Sequence, residues 1–155
     1  MQHCGPELPD PQLIARPYSD ADYETWTRVI NECFYAMRKA IDVRPHVIFN
    51  ASDLATRQRL RDTTNENILF YDGDQLVGVA GIVGSEIDPI AVVESQRRKG
   101  YGRRITAYCT NRILSSGISP ARLIVTTWNT AARRMYEEAG YHLVEQRDWY
   151  RLLLK

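Results

Sequence analysis

A single α/β domain on a mixed sheet (α+β in the wider sense) is the fold class this 155-residue sequence predicts. Three observations predict it. Segments of strand character alternate with helical ones in the order β-α-α-β-β-β-α-β-α-β-β, an alternation that places helices on both faces of one sheet. The composition, 44% hydrophobic, 25% charged and 10% aromatic, is that of a globular chain, and about 150 residues suffice for one substantial core. No apolar stretch approaches the roughly 18 residues of a membrane span, and no repeat or heptad run stands out.

The elements follow in order. Residues 1–12 carry three prolines and no apolar run. They read as a flexible tail rather than a secretory signal, which places the domain at residues 13–155. Leu13 to Pro17 form a first short strand. Ser19, with Asp22 three residues on, starts a helix. Tyr23, Trp26, Val29, Ile30, Cys33, Phe34 and Met37 then recur at spacings of three and four, giving one apolar face that fades near Ala40. Arg44-Pro45 rules out continuation. Ser52 caps a short polar helix over about Asp53 to Arg61.

Asn67 to Tyr71 is a strand, Asp72-Gly73-Asp74 a turn, and Gln75 to Val83 the returning strand. Gly78 and Gly81 within it signal close packing or a kink. Glu86 to Val93 is the next strand, and Pro89 inside it requires a bulge or an edge position. A helix spans about Gly100 to Ser115, with Gly117 as its C-cap. Arg122 to Thr127 is a strand. Asn129 or Thr130 starts a helix with Ala132, Met135, Tyr136 and Ala139 on one face, and Gly140 ends it. Tyr141 to Gln146 and Trp149 to Leu154 are two closing strands.

Cys4, Cys33 and Cys109 are odd in number and far apart, and His3, His46 and His142 are scattered. The sequence thus predicts neither a disulfide framework nor a metal site, and a reducing, cytoplasmic setting. The net charge of +1 is unevenly spread: residues 1–94 carry −7 and residues 95–155 carry +8. A basic C-terminal part suits an anionic ligand, and an acidic N-terminal part a cationic one.

Chemistry concentrates between Glu86 and Arg103. A strand, Ile90-Ala91-Val92, runs into a loop and then a helix. Gly100 and Gly102 let a ligand approach the backbone, and the first amides of the helix have no helical partner. With the helix dipole they make an anion site, ringed by Arg97, Arg98, Lys99, Arg103 and Arg104. The P-loop pattern GxxxxGK[ST] is absent, and GxGxxG fails because Ile105 stands three residues after Gly102.

The remaining pattern, [RQ]xxGx[GA], is met by Arg97-Arg98-Lys99-Gly100-Tyr101-Gly102. Together with the preceding strand, the following helix and Asn129-x-x-Ala132-x-x-x-Tyr136-x-x-x-Gly140-Tyr141, it resembles the Gcn5-related N-acetyltransferases, the GNAT family. The resemblance covers roughly 140 residues by pattern and about 50 by motif. It implies a GNAT-like domain with splayed central strands, and acetyl-coenzyme A as cosubstrate without a metal. The pyrophosphate is expected on the amides of Arg98, Gly100, Gly102 and Arg103, within a coenzyme-binding set that also includes Arg97, Lys99 and Tyr101. The pantetheine arm is expected beside Ile90, Ala91 and Val92, with Asn129 near it or capping the last helix.

Transfer to an amine needs a base, because an alkylammonium of pKa about 10.4 is protonated at neutral pH. It also needs fixed donors at the oxyanion and a proton for the departing thiolate. Glu86 is the expected base, at the family's offset from the loop, with Asp88 in reserve. Tyr136 is the expected acid, and the Val92 amide the oxyanion donor. The expected acceptor is a primary amine, either a small molecule or a protein N-terminus or lysine. Asp20, Asp22, Glu24 and Glu32 are expected to favour a cationic one. A nucleic-acid-binding module built on the basic loop and a coenzyme sensor without turnover are lesser alternatives. Nothing calls for a membrane partner, and monomer and homodimer stay open.

Overall fold

The computed structural model describes residues 1–50, 53–63 and 66–148. The elements are β1 (Gln2–His3), β2 (Ile14–Pro17), α1 (Tyr23–Ala40), α2 (Leu54–Asp62), β3 (Asn67–Asp72), β4 (Gln75–Val83), β5 (Glu86–Val92), α3 (Tyr101–Ser115), β6 (Ala121–Leu123) and α4 (Thr130–Glu138). The strands form one sheet in the order β1-β6-β5-β4-β3-β2. Its neighbours are antiparallel except β5 and β6, which are parallel. The mixed α/β sheet predicted from the sequence is therefore present.

Strand alternation divides the core between the two faces. On β3, Ile68 and Phe70 pack with Ile105, Cys109 and Ile113 of α3, while Leu69 packs with Trp26, Val29 and Ile30 of α1. Those buried positions recur at three and four along each helix. Each fully buried large apolar side chain contributes roughly 1.5–3 kcal/mol.

The turn into α1 is held by one carboxylate. Asp22 accepts hydrogen bonds from the Ser19 amide at 2.8 Å and the Ser19 hydroxyl at 2.7 Å, and pairs with Arg16 at 2.7 Å. Ser52 lies outside the described residues. Asp53 caps α2, its side chain accepting from the Thr56 amide at 3.0 Å.

Three segments depart from the sequence expectation. Residues 1–12, expected as a tail, belong to the domain. Gln2 and His3 pair with Arg122 and Ala121, Met1 and His3 are buried, and Asn111 holds both backbone groups of Leu8. The edge of β6 and one amide side chain satisfy this backbone, partners that a two-residue strand cannot announce in sequence. The expected strand from Arg122 to Thr127 pairs only over Ala121–Leu123. The expected strand from Tyr141 to Gln146 is reduced to a single bridge between His142 and Gln2. The last expected strand, Trp149 to Leu154, lies outside the described residues.

Candidate active site

One glycine shapes the centre of the sheet. Ala80 pairs with Ile90 and Ile82 with Ile87, so Gly81 alone opposes both Asp88 and Pro89. This is a bulge, and it explains how β5 tolerates its proline. A Cβ added at Gly81 would lie 2.5 Å from the Asp88 carbonyl oxygen. The extra residue also shifts the phase of the strand. Ile87 packs on the α3 side, whereas Ala91, four residues later, packs on the α1 side.

Beyond the bulge the sheet opens. β5 pairs with β6 only at Glu86–Arg122 and Ile87–Leu123. From Asp88 to Val92, the edge of β5 that faces β6 carries no strand among the described residues. The Val93 amide donates to the Val77 carbonyl at 3.0 Å, so ladder alternation turns the Val92 amide toward the open side. The Thr126 hydroxyl, just past β6, is buried without a hydrogen-bond partner among the described residues. A buried orphan hydroxyl suits a ligand that brings its own polar groups.

The basic loop closes one end of this wedge. Arg98 and Gly100 both have left-handed backbone, at φ 61° and 86°, and such turns gather successive amides into a concave anion site. The first helical bond of α3 runs from the Arg104 amide to the Gly100 carbonyl at 3.2 Å. The amides of Tyr101, Gly102 and Arg103 therefore have no helical acceptor. A Cβ added at Gly102 would lie 3.1 Å from the Met135 sulfur and 3.8 Å from Val92 Cγ2. The start of α3 is thus tucked against both α4 and the end of β5, so the free amides, the open strand edge and α4 converge.

The side chains of the loop divide their work. Lys99 donates to the buried Gln96 side chain at 3.0 Å. Arg97 reaches the Glu32 carbonyl of α1, and Arg103 the Glu138 carbonyl of α4, each at 3.4 Å. The Tyr101 hydroxyl donates to Asp72 at 2.8 Å, and Arg104 pairs with the same carboxylate at 3.0 Å. Arg104 also donates to the carbonyls of Pro11 and Gln12. It ties the N-terminal segment and the β3–β4 turn to α3. Asn129 caps α4, accepting from the Ala132 amide at 3.3 Å.

Tyr136 lies on the inner face of α4 at 8% exposure. Its hydroxyl makes no hydrogen bond among the described residues. Burial pushes the phenol well above its usual range, and the neighbouring Tyr141, Cys33, Cys109 and Asp88 add to the rise. It therefore keeps its proton throughout the neutral range. Glu86 stands at the closed end of the wedge, between Val83 and Arg122. Asp88 stands where the strands part. Partial desolvation where the strands part raises the Asp88 carboxyl from its ordinary value, and the charge of Glu86 raises it further.

Two neighbours of the site escaped the sequence reading. Thr126 looked like an ordinary β-branched strand residue. Cys33 looked like one position on the apolar face of α1, yet the Val92 amide and the Arg97 guanidinium act on its sulfur. The acidic face expected on the first helix is largely spent in ion pairs. Asp20 is held by Arg57 and Arg61, Asp22 by Arg16, and Glu32 by Arg28. Glu24, with Thr27, Arg28, Asn31, Glu32 and Phe49, lines a cavity of about 400 Å³ between α1 and the loop after it.

Among the described residues, no cluster of three or more His, Cys, Asp or Glu side chains could hold a metal ion. No described helix is long and apolar enough to cross a membrane.

Comparison with known proteins agrees with this geometry. None of the curated protein sequences matches the chain. A mutant of the BH1408 protein from Bacillus halodurans is similar in structure, with a TM-score of 0.72 and 20% identity, covering 90% of this chain and 99% of that one. The PaiA N-acetyltransferase from Thermoplasma acidophilum, solved in complex with coenzyme A, superposes with a TM-score of 0.64 at 14% identity over 87% of this chain and 92% of that one. AAC(6')-Iy, solved with the bisubstrate analogue CoA-S-monomethyl-acetylneamine, gives a TM-score of 0.65 at 14% identity over 92% and 99%. The family model described as "Acetyltransferase (GNAT) domain" matches residues 14–150, and with most of the chain inside that match the protein belongs to the GNAT acetyltransferase family.

Proposed function

We propose that the protein transfers an acetyl group from acetyl-coenzyme A to a primary amine by direct attack. One observation carries this reading: β6 leaves β5 after Leu123, and the strand edge thus freed leads straight to the unpartnered amides of α3. That pairing of an extended polar edge with an anion site fits a ligand that joins an amide-bearing arm to a pyrophosphate.

The residues present fit the coenzyme. The amides of Arg98, Gly100, Gly102 and Arg103 suit the pyrophosphate, with Arg97, Lys99 and Tyr101 around them. Ile90, Ala91 and Val92 offer backbone to the pantetheine arm, and the Thr126 hydroxyl offers it a side-chain partner. Asn129 serves the site through the helix it caps. The coenzyme, when bound, supplies the thioester that is attacked.

The chain's own groups then divide the chemistry. The Val92 amide donates to the oxygen on which negative charge develops, a contribution worth about 10²–10³ in rate for one such donor. Tyr136, protonated at any neutral pH, gives a proton to the departing sulfur. The base comes from the Glu86–Asp88 pair. Family spacing favours Glu86, and a carboxyl held above its ordinary value where the strands part favours Asp88. We assign the proton to Asp88, with Glu86 supplying the charge that raises its carboxyl further.

The cavity beside α1 is of a size for a small amine, and AAC(6')-Iy, similar in fold, was solved with the bisubstrate analogue CoA-S-monomethyl-acetylneamine. Three free cysteines suit a reducing, cytoplasmic setting. The test is an acceptor screen with acetyl-coenzyme A that reads release of free thiol. Small primary amines should accelerate release over the acceptor-free rate. Release that no amine or peptide accelerates contradicts the proposal.

A further inference from the structure

Residues 7–12 run along α3 toward its first turn. Ser115, at the far end of the helix, donates to Glu7 at 2.7 Å. One turn back, Asn111 holds both backbone groups of Leu8, at 2.7 and 2.8 Å. Arg104, at the near end, donates to the carbonyls of Pro11 and Gln12 at 2.7 and 2.6 Å. Side chains spaced by four and by seven share one face of a helix, so three anchors fix this irregular segment beside α3.

A cavity of about 400 Å³ lies between the segment, α3 and the end of α4. Leu8, Pro9 and Pro11 line it from the N-terminal side, and Ala107 and Ala139 from the two helices. The charged groups around it are unevenly committed. Arg104 is spent on Asp72 and the two carbonyls. Asp10 accepts from the Gln12 amide at 2.9 Å, and Glu138 pairs with Arg134 at 2.9 Å. Arg103 has no carboxylate partner among the described residues, and its guanidinium meets the Glu138 carbonyl at 3.4 Å. Apolar walls with one uncommitted guanidinium suit a ligand that joins a flat apolar body to a phosphate.

The place of Arg103 says which ligand. Its backbone amide is one of those left free at the start of α3 and assigned to the pyrophosphate, and its side chain lines the cavity. The cavity therefore begins where the pyrophosphate ends. Beyond its pyrophosphate, coenzyme A carries a ribose with a 3′-phosphate and an adenine base.

We infer that the N-terminal segment is a coenzyme-recognition element: Leu8 to Pro11 wall the site of the adenosine end, and the Arg103 side chain pairs with its 3′-phosphate. This inference rests on the reading of the loop before α3 as the pyrophosphate site. The base lies against Leu8, Pro9 and Pro11, which three anchors hold in place before the ligand arrives, so little ordering cost is added on binding. A guanidinium offers the phosphate two parallel donors.

The experiment titrates the full chain by calorimetry with acetyl-coenzyme A, its 3′-dephospho analogue and acetyl-4′-phosphopantetheine, and follows amide hydrogen exchange over residues 7–12. The wild type should prefer acetyl-coenzyme A to the 3′-dephospho analogue by at least about tenfold, the worth of a hydrogen bond to a charged group. Arg103→Gln should bring that ratio close to one, and Arg103→Lys should restore part of it. Leu8→Glu, which sets a negative charge on the wall, should shrink the preference for acetyl-coenzyme A over acetyl-4′-phosphopantetheine. In the wild type, acetyl-coenzyme A should slow exchange over residues 7–12, and acetyl-4′-phosphopantetheine should not. A wild-type protein that binds acetyl-coenzyme A while residues 7–12 exchange as in the free protein overturns the inference, as does a folded Arg103→Gln protein that keeps the 3′-phosphate preference. Protection by free adenosine 3′,5′-bisphosphate but not by acetyl-coenzyme A would make the cavity a separate nucleotide site and overturn the link to the coenzyme. A wild-type protein that binds none of these ligands overturns the reading beneath it as well.

Discussion

Gly81 and Asp88 face each other across the bulge with no space for a side chain: a Cβ at position 81 would lie 2.5 Å from the Asp88 carbonyl oxygen. The obstacle is backbone, which cannot swing aside as a side-chain tip can. Gly81→Ala should therefore push β5 away from β4 and cost about 1–3 kcal/mol, the usual range for overpacking. Chemical denaturation of the variant checks this. An unchanged midpoint would mean that the bulge is soft.

The pairing of Asp88 with Glu86 sets a pH dependence of definite sign. A carboxyl whose folded pKa is raised contributes stability at low pH that is lost as pH rises through the folded value. As a base it works only when deprotonated, so kcat/KM should fall as pH drops through that same raised value. Asp88→Asn should abolish that acidic limb, lower kcat/KM and stabilise the protein at neutral pH. Glu86→Gln should keep the limb and move it to lower pH, since the neighbouring charge is gone. A limb lost in Glu86→Gln and kept in Asp88→Asn would transfer the role to Glu86.

Tyr136→Phe removes a hydroxyl that no described residue holds, so the fold and coenzyme affinity should be kept. Turnover should fall by about 10²–10⁴ if proton donation to the leaving sulfur is lost. Single-turnover kinetics isolate that step. A wild-type rate there would make Tyr136 a packing residue.

The N-terminal segment offers a test of the fold itself. Deleting residues 1–12 strips the β6 edge of its partner and exposes the surface that Met1 and His3 cover. The truncated protein should have a lower Tm in thermal denaturation. An unchanged Tm would restore the reading of these residues as a tail.

Sequence alone carried the elements whose signals are local. The apolar spacing of α1 and α3, the turn at Asp72-Gly73-Asp74 and the bulge implied by Pro89 all register within a few residues of themselves. β1 did not, because two residues have no periodicity and their strand character comes wholly from Arg122 and Ala121 across the sheet. The run from Arg122 to Thr127 shows the converse. Its β-branched residues favour extended backbone, yet propensity cannot say whether a neighbour is there to pair with. At Leu123 the neighbour departs, and the unpaired edge beyond is the candidate site, where local rules are expected to fail. The loop glycines were legible because φ above zero and close backbone approach demand a particular residue. Cys33 and Thr126 were not, since their surroundings depend on groups that only the fold brings near.

The central claim is that the wedge and the loop before α3 bind acetyl-coenzyme A, and Gly102 tests it most directly. Its position against Met135 and Val92 leaves room for an added side chain only where the flexible methionine can yield, so Gly102→Val should fold while crowding the amides of Tyr101 and Arg103. Calorimetric titration of acetyl-coenzyme A should show saturable one-to-one binding to the wild type and none to a folded Gly102→Val protein. Equal affinity in the two proteins, or no binding to the wild type, would contradict the account.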